Sequence, residues 1–264
     1  MAASFEPEET APRVGLFVTC LVDLFRPSVG FAAAKLLQDA GCSVEVPVAQ
    51  TCCGQPAHNS GDRAEAVLAA QNTIEAFEEF DYVVAPSGTC AGMLKVHYPA
   101  LLADQPGWAA RARNLAAKVH ELTSFLVDVL GQKSSPARFD GVVTYHDACA
   151  GLRELGVQGQ PRALLKSVEG LDLIEMRAPE MCCGSCVRHP ASSAPIARSK
   201  TDNVKATDVR LLLAGDLGCL MDMAGRLRRE GSNIEVRHVA EVLAGMLDAP
   251  PIGSRNAIAF KRTA

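Results

Sequence analysis

Thr51-Cys52-Cys53-Gly54 returns 130 residues later as Met181-Cys182-Cys183-Gly184. Upstream of the first stretch, 31 residues separate Cys20 from Cys52; downstream, 36 residues separate Cys53 from Cys90. Around the second stretch, 32 residues separate Cys149 from Cys182, and 35 separate Cys183 from Cys219. Four cysteines in the same order, with each gap differing by one residue, are the mark of a duplication.

The surroundings repeat as well. Each half opens on a β-type run that ends just before its first cysteine, residues 13–19 and 141–146, rich in β-branched and aromatic residues. In the first half a helical pattern over 27–40 follows, with Pro27 at its start and Gly41 after its end. A strand over 43–48 then leads to Cys52 and Cys53, as one over 171–176 leads to Cys182 and Cys183. Beyond the first Cys-Cys-Gly, Ser60 reads as the N-cap of a helix over 61–79. Strands over 81–86 and 208–213 precede Cys90 and Cys219, and residues 119–126 and 236–243 close the halves alike. Alternating strands and helices predict an α/β fold of two duplicated βαβ-type halves with mostly parallel sheets, related by a pseudo-twofold. The halves are placed at 13–131 and 138–248, joined through 131–136, with 1–12 and 249–264 as loosely ordered tails.

The 264 residues carry 26 Lys and Arg against 30 Asp and Glu, a formal charge of −4, and 5% aromatics. That balance argues against nucleic acid as a partner, which needs a basic surface or stacking platforms. Residues 1–13 include Glu6, Glu8 and Glu9 and no apolar run, unlike a signal or transit peptide. The longest apolar run, 14–22, stops at Asp23 and is too short for a membrane span. The chain therefore reads as cytoplasmic. In that compartment ten cysteines point to metal or redox chemistry rather than to a disulfide framework.

Every paired cysteine lies just past a predicted strand, and ligand sites in open α/β sheets gather at the carboxyl ends of strands. Cys20, Cys52, Cys53 and Cys90 are thus expected on one rim, and Cys149, Cys182, Cys183 and Cys219 on another. Helix N-termini beyond these loops favour thiolates and an anionic cluster. Gly54, Gly88, Gly184 and Gly218 let the backbone come close. Four thiolates per half suit an all-cysteine iron–sulfur cluster or an all-cysteine zinc site. Two adjacent side chains do not easily grip one tetrahedral ion, so iron–sulfur is favoured: up to two clusters, 4Fe–4S in type, with zinc the alternative in one half.

The remaining candidates are weaker. Cys42 follows a helix stop and reads as a small buried hydrophobe. Cys186 closes a Cys-x-x-Cys with Cys183 and reads either as an extra ligand or as a resolving thiol. His146 reads first as a strand-end histidine satisfied by backbone, the alternative being a place beside the second set of cysteines. His58 and His189 follow a Cys-Cys-Gly and read either as contacts of substrate or cluster or as solvated loop residues. His97, His120 and His238 read as helix or strand-end residues without a role. No G-x-G-x-x-G follows a strand, so the chain lacks that dinucleotide fingerprint.

The tandem order of Cys, Cys-Cys-Gly and Cys resembles the cysteine-rich CCG domain of the heterodisulfide reductases and of the glycolate oxidase iron–sulfur subunit. Over residues 14–247 the chain resembles the lactate utilization protein A family, short proteins made almost wholly of two such domains. The resemblance is carried by residues 17–20, 50–57, 59–61, 86–90, 122–125, 144–149, 182–184, 225–231 and 238–243. It implies an iron–sulfur electron-transfer component of a cytosolic complex that oxidises L-lactate, or another 2-hydroxy acid. Such a chain is a redox subunit rather than a complete dehydrogenase. Its implied partners are a ferredoxin-like iron–sulfur protein and a third subunit. The alternatives are a heterodisulfide-reductase-like thiol–disulfide oxidoreductase and a zinc-binding scaffold subunit. The family's full motif ends Cys-x-x-Cys; here Met93 and Asp222 stand in place of the last cysteine, leaving four candidate thiolates per half. That number serves a conventional [4Fe–4S] cluster but not the five-cysteine cluster of the disulfide reductases. Ser185-Cys186-Val187-Arg188-His189 replaces a Phe-Gly-Gly-type stretch usual in the lactate utilization proteins.

Overall fold

The computed structural model describes residues 11–185 and 190–254. In the first half, β1 (Arg13–Leu16) leads to α1 (Cys20–Phe25) and α2 (Pro27–Asp39). β2 (Ser43–Glu45) leads to α3 (Gln55–Ser60) and α4 (Arg63–Phe77). β3 (Tyr82–Ala85) leads to α5 (Gly88–Gly92), α6 (Tyr98–Leu101) and α7 (Trp108–Lys118), and β4 (Val119–Glu121) to α8 (Leu122–Ser124). The second half runs β5 (Arg138–His146), α9 (Cys149–Leu155), α10 (Gly159–Lys166), β6 (Glu169–Leu173) and α11 (Pro190–Lys205). It closes with β7 (Leu211–Ala214), α12 (Leu217–Arg229), β8 (Glu235–His238) and α13 (Val239–Leu243).

All strand pairs are parallel, and the two four-stranded sheets have the same order, β2-β1-β3-β4 and β6-β5-β7-β8. The central strands are apolar throughout: Val83, Val84 and Ala85 in β3, and Leu211 to Ala214 in β7, are buried. Helices cover both faces of a parallel sheet, which is why these strands read as continuous hydrophobic runs. The halves exchange partners symmetrically. α5 packs on α9 as α1 packs on α12, and α2 packs on α13 as α10 packs on α8. Each contact recurs with the halves swapped, which is the isologous pairing of a twofold. A large core crosses the junction, with Leu37 and Phe125 from one half and Leu165, Leu213 and Val242 from the other. Cys42 is buried in that core.

One crossing is tighter than its counterpart. A Cβ on Gly88 would stand 2.6 Å from the Cα of Gly151, so only glycine lets α5 and α9 approach this closely. At the equivalent crossing Val22 and Leu217 fill the space as a small apolar cluster.

Several local expectations are corrected. β2 ends at Glu45 rather than 48, since Pro47 cannot donate to the ladder. β6 covers 169–173 rather than 171–176. Ser60 does not cap a helix at 61. It ends α3, Gly61 turns at φ 78°, and the Asp62 side chain caps α4 by accepting from Glu65 N at 3.1 Å. β7 begins at Leu211 because Asp208, at φ 54°, turns the chain first. The segment after Asp248 is held as far as Ser254. Ile252 N donates to Val236 O at 2.8 Å, Arg237 to Ala249 O at 2.6 Å, and Arg26 to Pro250 O. The outer parts of both tails, 1–10 and 255–264, lie outside the described residues.

Glu121 ends β4 and caps α8, its Oε2 accepting from Thr123 N at 2.8 Å, Thr123 Oγ1 at 2.6 Å and Ser124 N at 3.1 Å. Burial pushes its carboxyl up to about 7 from 4.5, against these hydrogen bonds. The native state therefore holds this proton more tightly than the unfolded chain does. The stabilisation is complete below about pH 4.5 and is lost as pH rises through 7, about 3 kcal/mol in all. Glu121→Gln keeps an accepting oxygen and cannot ionise. Urea unfolding at pH 5 and pH 8 should show the native protein losing about 2.5 kcal/mol relative to this variant. Parallel pH profiles for the two proteins would contradict the assignment.

Candidate metal centres

Each outer cysteine sits in the first turn of a helix just past the carboxyl end of a strand. Thr19 caps α1, so Cys20 opens it. Ser87 Oγ accepts from Cys90 N at 3.3 Å and places Cys90 in the first turn of α5. Cys149 opens α9 directly. Asp216 Oδ1 accepts from Gly218 N at 3.1 Å and Cys219 N at 3.3 Å at the start of α12. Behind the first adjacent pair, Gly54 turns at φ 78°, and a Cβ there would lie 2.9 Å from Ala69 Cβ.

In the first half the sulfurs of Cys20 and Cys52 are 3.7 Å apart and those of Cys53 and Cys90 3.4 Å apart. All four line one cavity of about 350 Å³, whose far wall comes from the other half through Asp216, Leu217 and Gly218. The Cys52 thiol is pulled down to about 2 by hydrogen bonds first from Cys20 and then from Cys53. Cys20 and Cys53 are pushed up, first by Cys52 and with burial adding to it. Thiols packed this closely cannot all ionise unless a cation shares their charge. Tyr98, fully buried, fixes the loop by donating to Cys53 O at 2.9 Å.

In the second half burial, then the neighbouring Cys182, pushes the Cys149 thiol up to about 12. The ligand atoms of His146, Cys183 and Cys219 lie within 4.8 Å of one another. Ser185 Oγ stands 3.1 Å from Cys183 Sγ and 3.8 Å from Cys219 Sγ, and Gly184 N donates to Cys182 Sγ at 3.3 Å. The Cys219 thiol draws Cys183 down to about 4, with burial opposing it. Cys219 is pushed up by Cys183, by burial and by Asp216. Clustered soft donors of this kind suit a metal centre.

A hydrogen-bonded bridge joins the two sets. Ser87 Oγ donates to Asp216 Oδ2 at 2.8 Å, and Thr89 N donates to the same oxygen at 3.2 Å. One carboxylate thus connects the helix turn bearing Cys90 to the one bearing Cys219.

The family model of the CCG cysteine-rich domain matches residues 14–95 and 143–224, the two halves just described. "Lactate utilization protein A" of Oceanobacillus iheyensis is 44% identical over 235 residues, covering 88% of this chain and 96% of that one. The chain belongs to the lactate utilization protein A family. The protein of that name from Geobacillus kaustophilus is 45% identical, covering 88% of this chain and 98% of that one. Among solved structures, a hypothetical protein from Helicobacter pylori has the same fold, with a TM-score of 0.64 at 11% identity. That match covers 90% of this chain and 51% of the other, so the chain spans about half the length of that structure. No described helix is long and apolar enough to cross a membrane.

Beside the family motif the chain's departures have structural consequences. Met93, in place of a fifth cysteine, is fully buried in the first-half core. Asp222 is half-buried, and its carboxyl is pushed up by burial and by Cys183. Cys186 and His189 lie outside the described residues. Three histidines that the sequence leaves without a role have defined contacts. His238 Nδ1 accepts from Ala240 N at 3.2 Å while Nε2 donates across the junction to Pro86 O at 3.2 Å. His97 faces Glu154 of the other half at 3.2 Å, with the His58 ring 5.0 Å from its own. His120 packs on Tyr82 and Phe125, and burial lowers it to about 4.

Proposed function

We propose that the chain is an iron–sulfur electron-transfer component of L-lactate oxidation, or of a related 2-hydroxy acid, with one cluster in each half. The observation that carries this reading is the pairing of Cys20 with Cys52 and of Cys53 with Cys90 around one cavity at the sheet rim. The relatives' name and the two CCG domains support a role in lactate utilization. Cys20, Cys52, Cys53 and Cys90 would hold the first cluster, and Cys149, Cys182, Cys183 and Cys219 the second. A bound cluster of this type supplies one-electron uptake and release.

The chain's own residues set the conditions for that chemistry. Gly184 N donates to Cys182 Sγ, a contact of the kind that tunes a centre from outside its ligands. Buried Cys53, Cys90, Cys183 and Cys219 keep water from the inner side of each set. Asp216 holds the two rims in fixed relation. The chain acts as a redox subunit in the cytoplasm, beside a ferredoxin-like iron–sulfur protein and a third subunit, with its CCG units at 13–131 and 138–248. Metal and sulfide analysis of protein purified without oxygen tests this. About four irons and four sulfides per centre, with a broad band at roughly 400 nm, are expected. Colourless protein holding only zinc would overturn electron transfer and leave a scaffold.

A further inference from the structure

Building on the metal-centre reading, we infer that the two centres differ in kind, and that His146 Nε2 is a ligand of the second one beside Cys183 and Cys219. His146 ends β5 and is fully buried. Its Nδ1 lies 3.2 Å from Pro179 O. A carbonyl only accepts, so Nδ1 carries the proton and Nε2 presents a lone pair. That Nε2 is buried and has no hydrogen-bond partner among the described residues. A ring nitrogen of His146 lies within 4.8 Å of the Cys183 and Cys219 sulfurs, and Nδ1 is the one turned to Pro179 O. A buried acceptor left unpaired is costly. A cation satisfies all three atoms at once.

The ring is also held from behind, as metal-ligating histidines are. Pro179 O takes Asp147 N at 3.1 Å and the buried Lys200 Nζ at 2.9 Å, and Lys200 reaches Ala178 O at 3.1 Å. The carbonyl that orients the imidazole is therefore itself held by two donors, Asp147 N and Lys200 Nζ.

The first half has no counterpart to this nitrogen. Three residues before its first cysteine stands Phe17, as His146 stands three before Cys149. The strand register agrees: Leu16 pairs with Val84 as Tyr145 pairs with Leu213. Phe17 packs on Phe77, ring centres 5.5 Å apart, inside the apolar core. The first centre thus has thiols alone, and the second has thiols and a neutral imidazole. An imidazole in place of a thiolate at one of the four ligand positions raises the potential of an iron–sulfur centre, so with His146 at one of them the second centre should be the easier to reduce.

Pulsed EPR of the reduced, iron-loaded full chain tests the ligand directly. A strong coupling to directly bound nitrogen is expected, converted to a ¹⁵N coupling by ¹⁵N-histidine labelling. It should survive in C52S/C53S, which removes the first centre, and vanish in H146F, where the higher of two reduction steps moves down. Labelling establishes histidine ligation in the unsubstituted protein, and a coupling that persists in H58A and H189A assigns it to His146 even where H146F does not fold. Should the second centre hold zinc, X-ray absorption should show one nitrogen at about 2.0 Å beside sulfurs at about 2.3 Å. A loaded second centre with an all-sulfur shell, or no metal in the second half beside a loaded first, overturns the role of His146 and leaves the metal-centre reading standing. Protein that binds no metal in either half overturns that reading itself.

Discussion

Glu241→Ala is expected to lower the thermal unfolding midpoint by roughly 10 °C, from a loss of about 3–5 kcal/mol. Glu241 in α13 is fully buried, and Arg26, at the head of α2 in the other half, is 7% exposed at its side chain. The carboxylate accepts from Arg26 Nε at 2.8 Å and Nη2 at 3.1 Å, from Ser28 Oγ at 2.6 Å, and from His238 N at 3.2 Å. Truncation leaves a buried guanidinium whose remaining described partner is Pro250 O. The cost is mostly that of an unpaired buried charge, not the worth of the pair. Replacing both partners with apolar residues, as in R26M/E241L, should therefore recover much of the loss. Circular dichroism melts of the three proteins decide the matter. A midpoint for E241A within a degree or two of the native value would show that this pair does not hold the halves together.

The junction matters to chemistry as well as to stability. The cavity beside the first set of cysteines has walls from both halves, and Asp216 of the second half holds Ser87 and Thr89 of the first. Neither half alone completes that site.

The duplication and the parallel α/β architecture are legible because cysteine positions and the strands before them repeat with nearly constant spacing. Strand-end placement of the cysteines follows from the sheet type alone. What escapes the sequence depends on partners distant along the chain. Arg26 and Glu241 are 215 residues apart. The segment after Asp248 lacks local structure signals, yet Val236 O and Arg26 hold it. Ser60 and Asp62 are both good capping types, and Gly61 at positive φ decides between them. Satisfaction by backbone, expected of His146, is true of Nδ1 and not of Nε2. The available signal is the mismatch of the halves at this position, His146 against Phe17.

Replacing Cys52 and Cys53 together with serine should remove one cluster and leave the other. Each is the near neighbour of a different cysteine, Cys20 at 3.7 Å and Cys90 at 3.4 Å, so the double change breaks both pairs. Two thiols remain, where a 4Fe–4S cluster needs four ligands. Iron, sulfide and the visible absorbance should all fall by about half, since the second set of cysteines belongs to a separate sheet. Serine is close in size to cysteine. At Cys53, 3% exposed, its hydroxyl would still face Cys90, so the fold should lose only about 1–2 kcal/mol. C182S/C183S should show the complementary half-loss. Unchanged iron in C52S/C53S would remove the first set as ligands. Complete loss of iron with an intact fold would mean that the two centres assemble only together, through the Asp216 bridge that joins Cys90's helix to Cys219's.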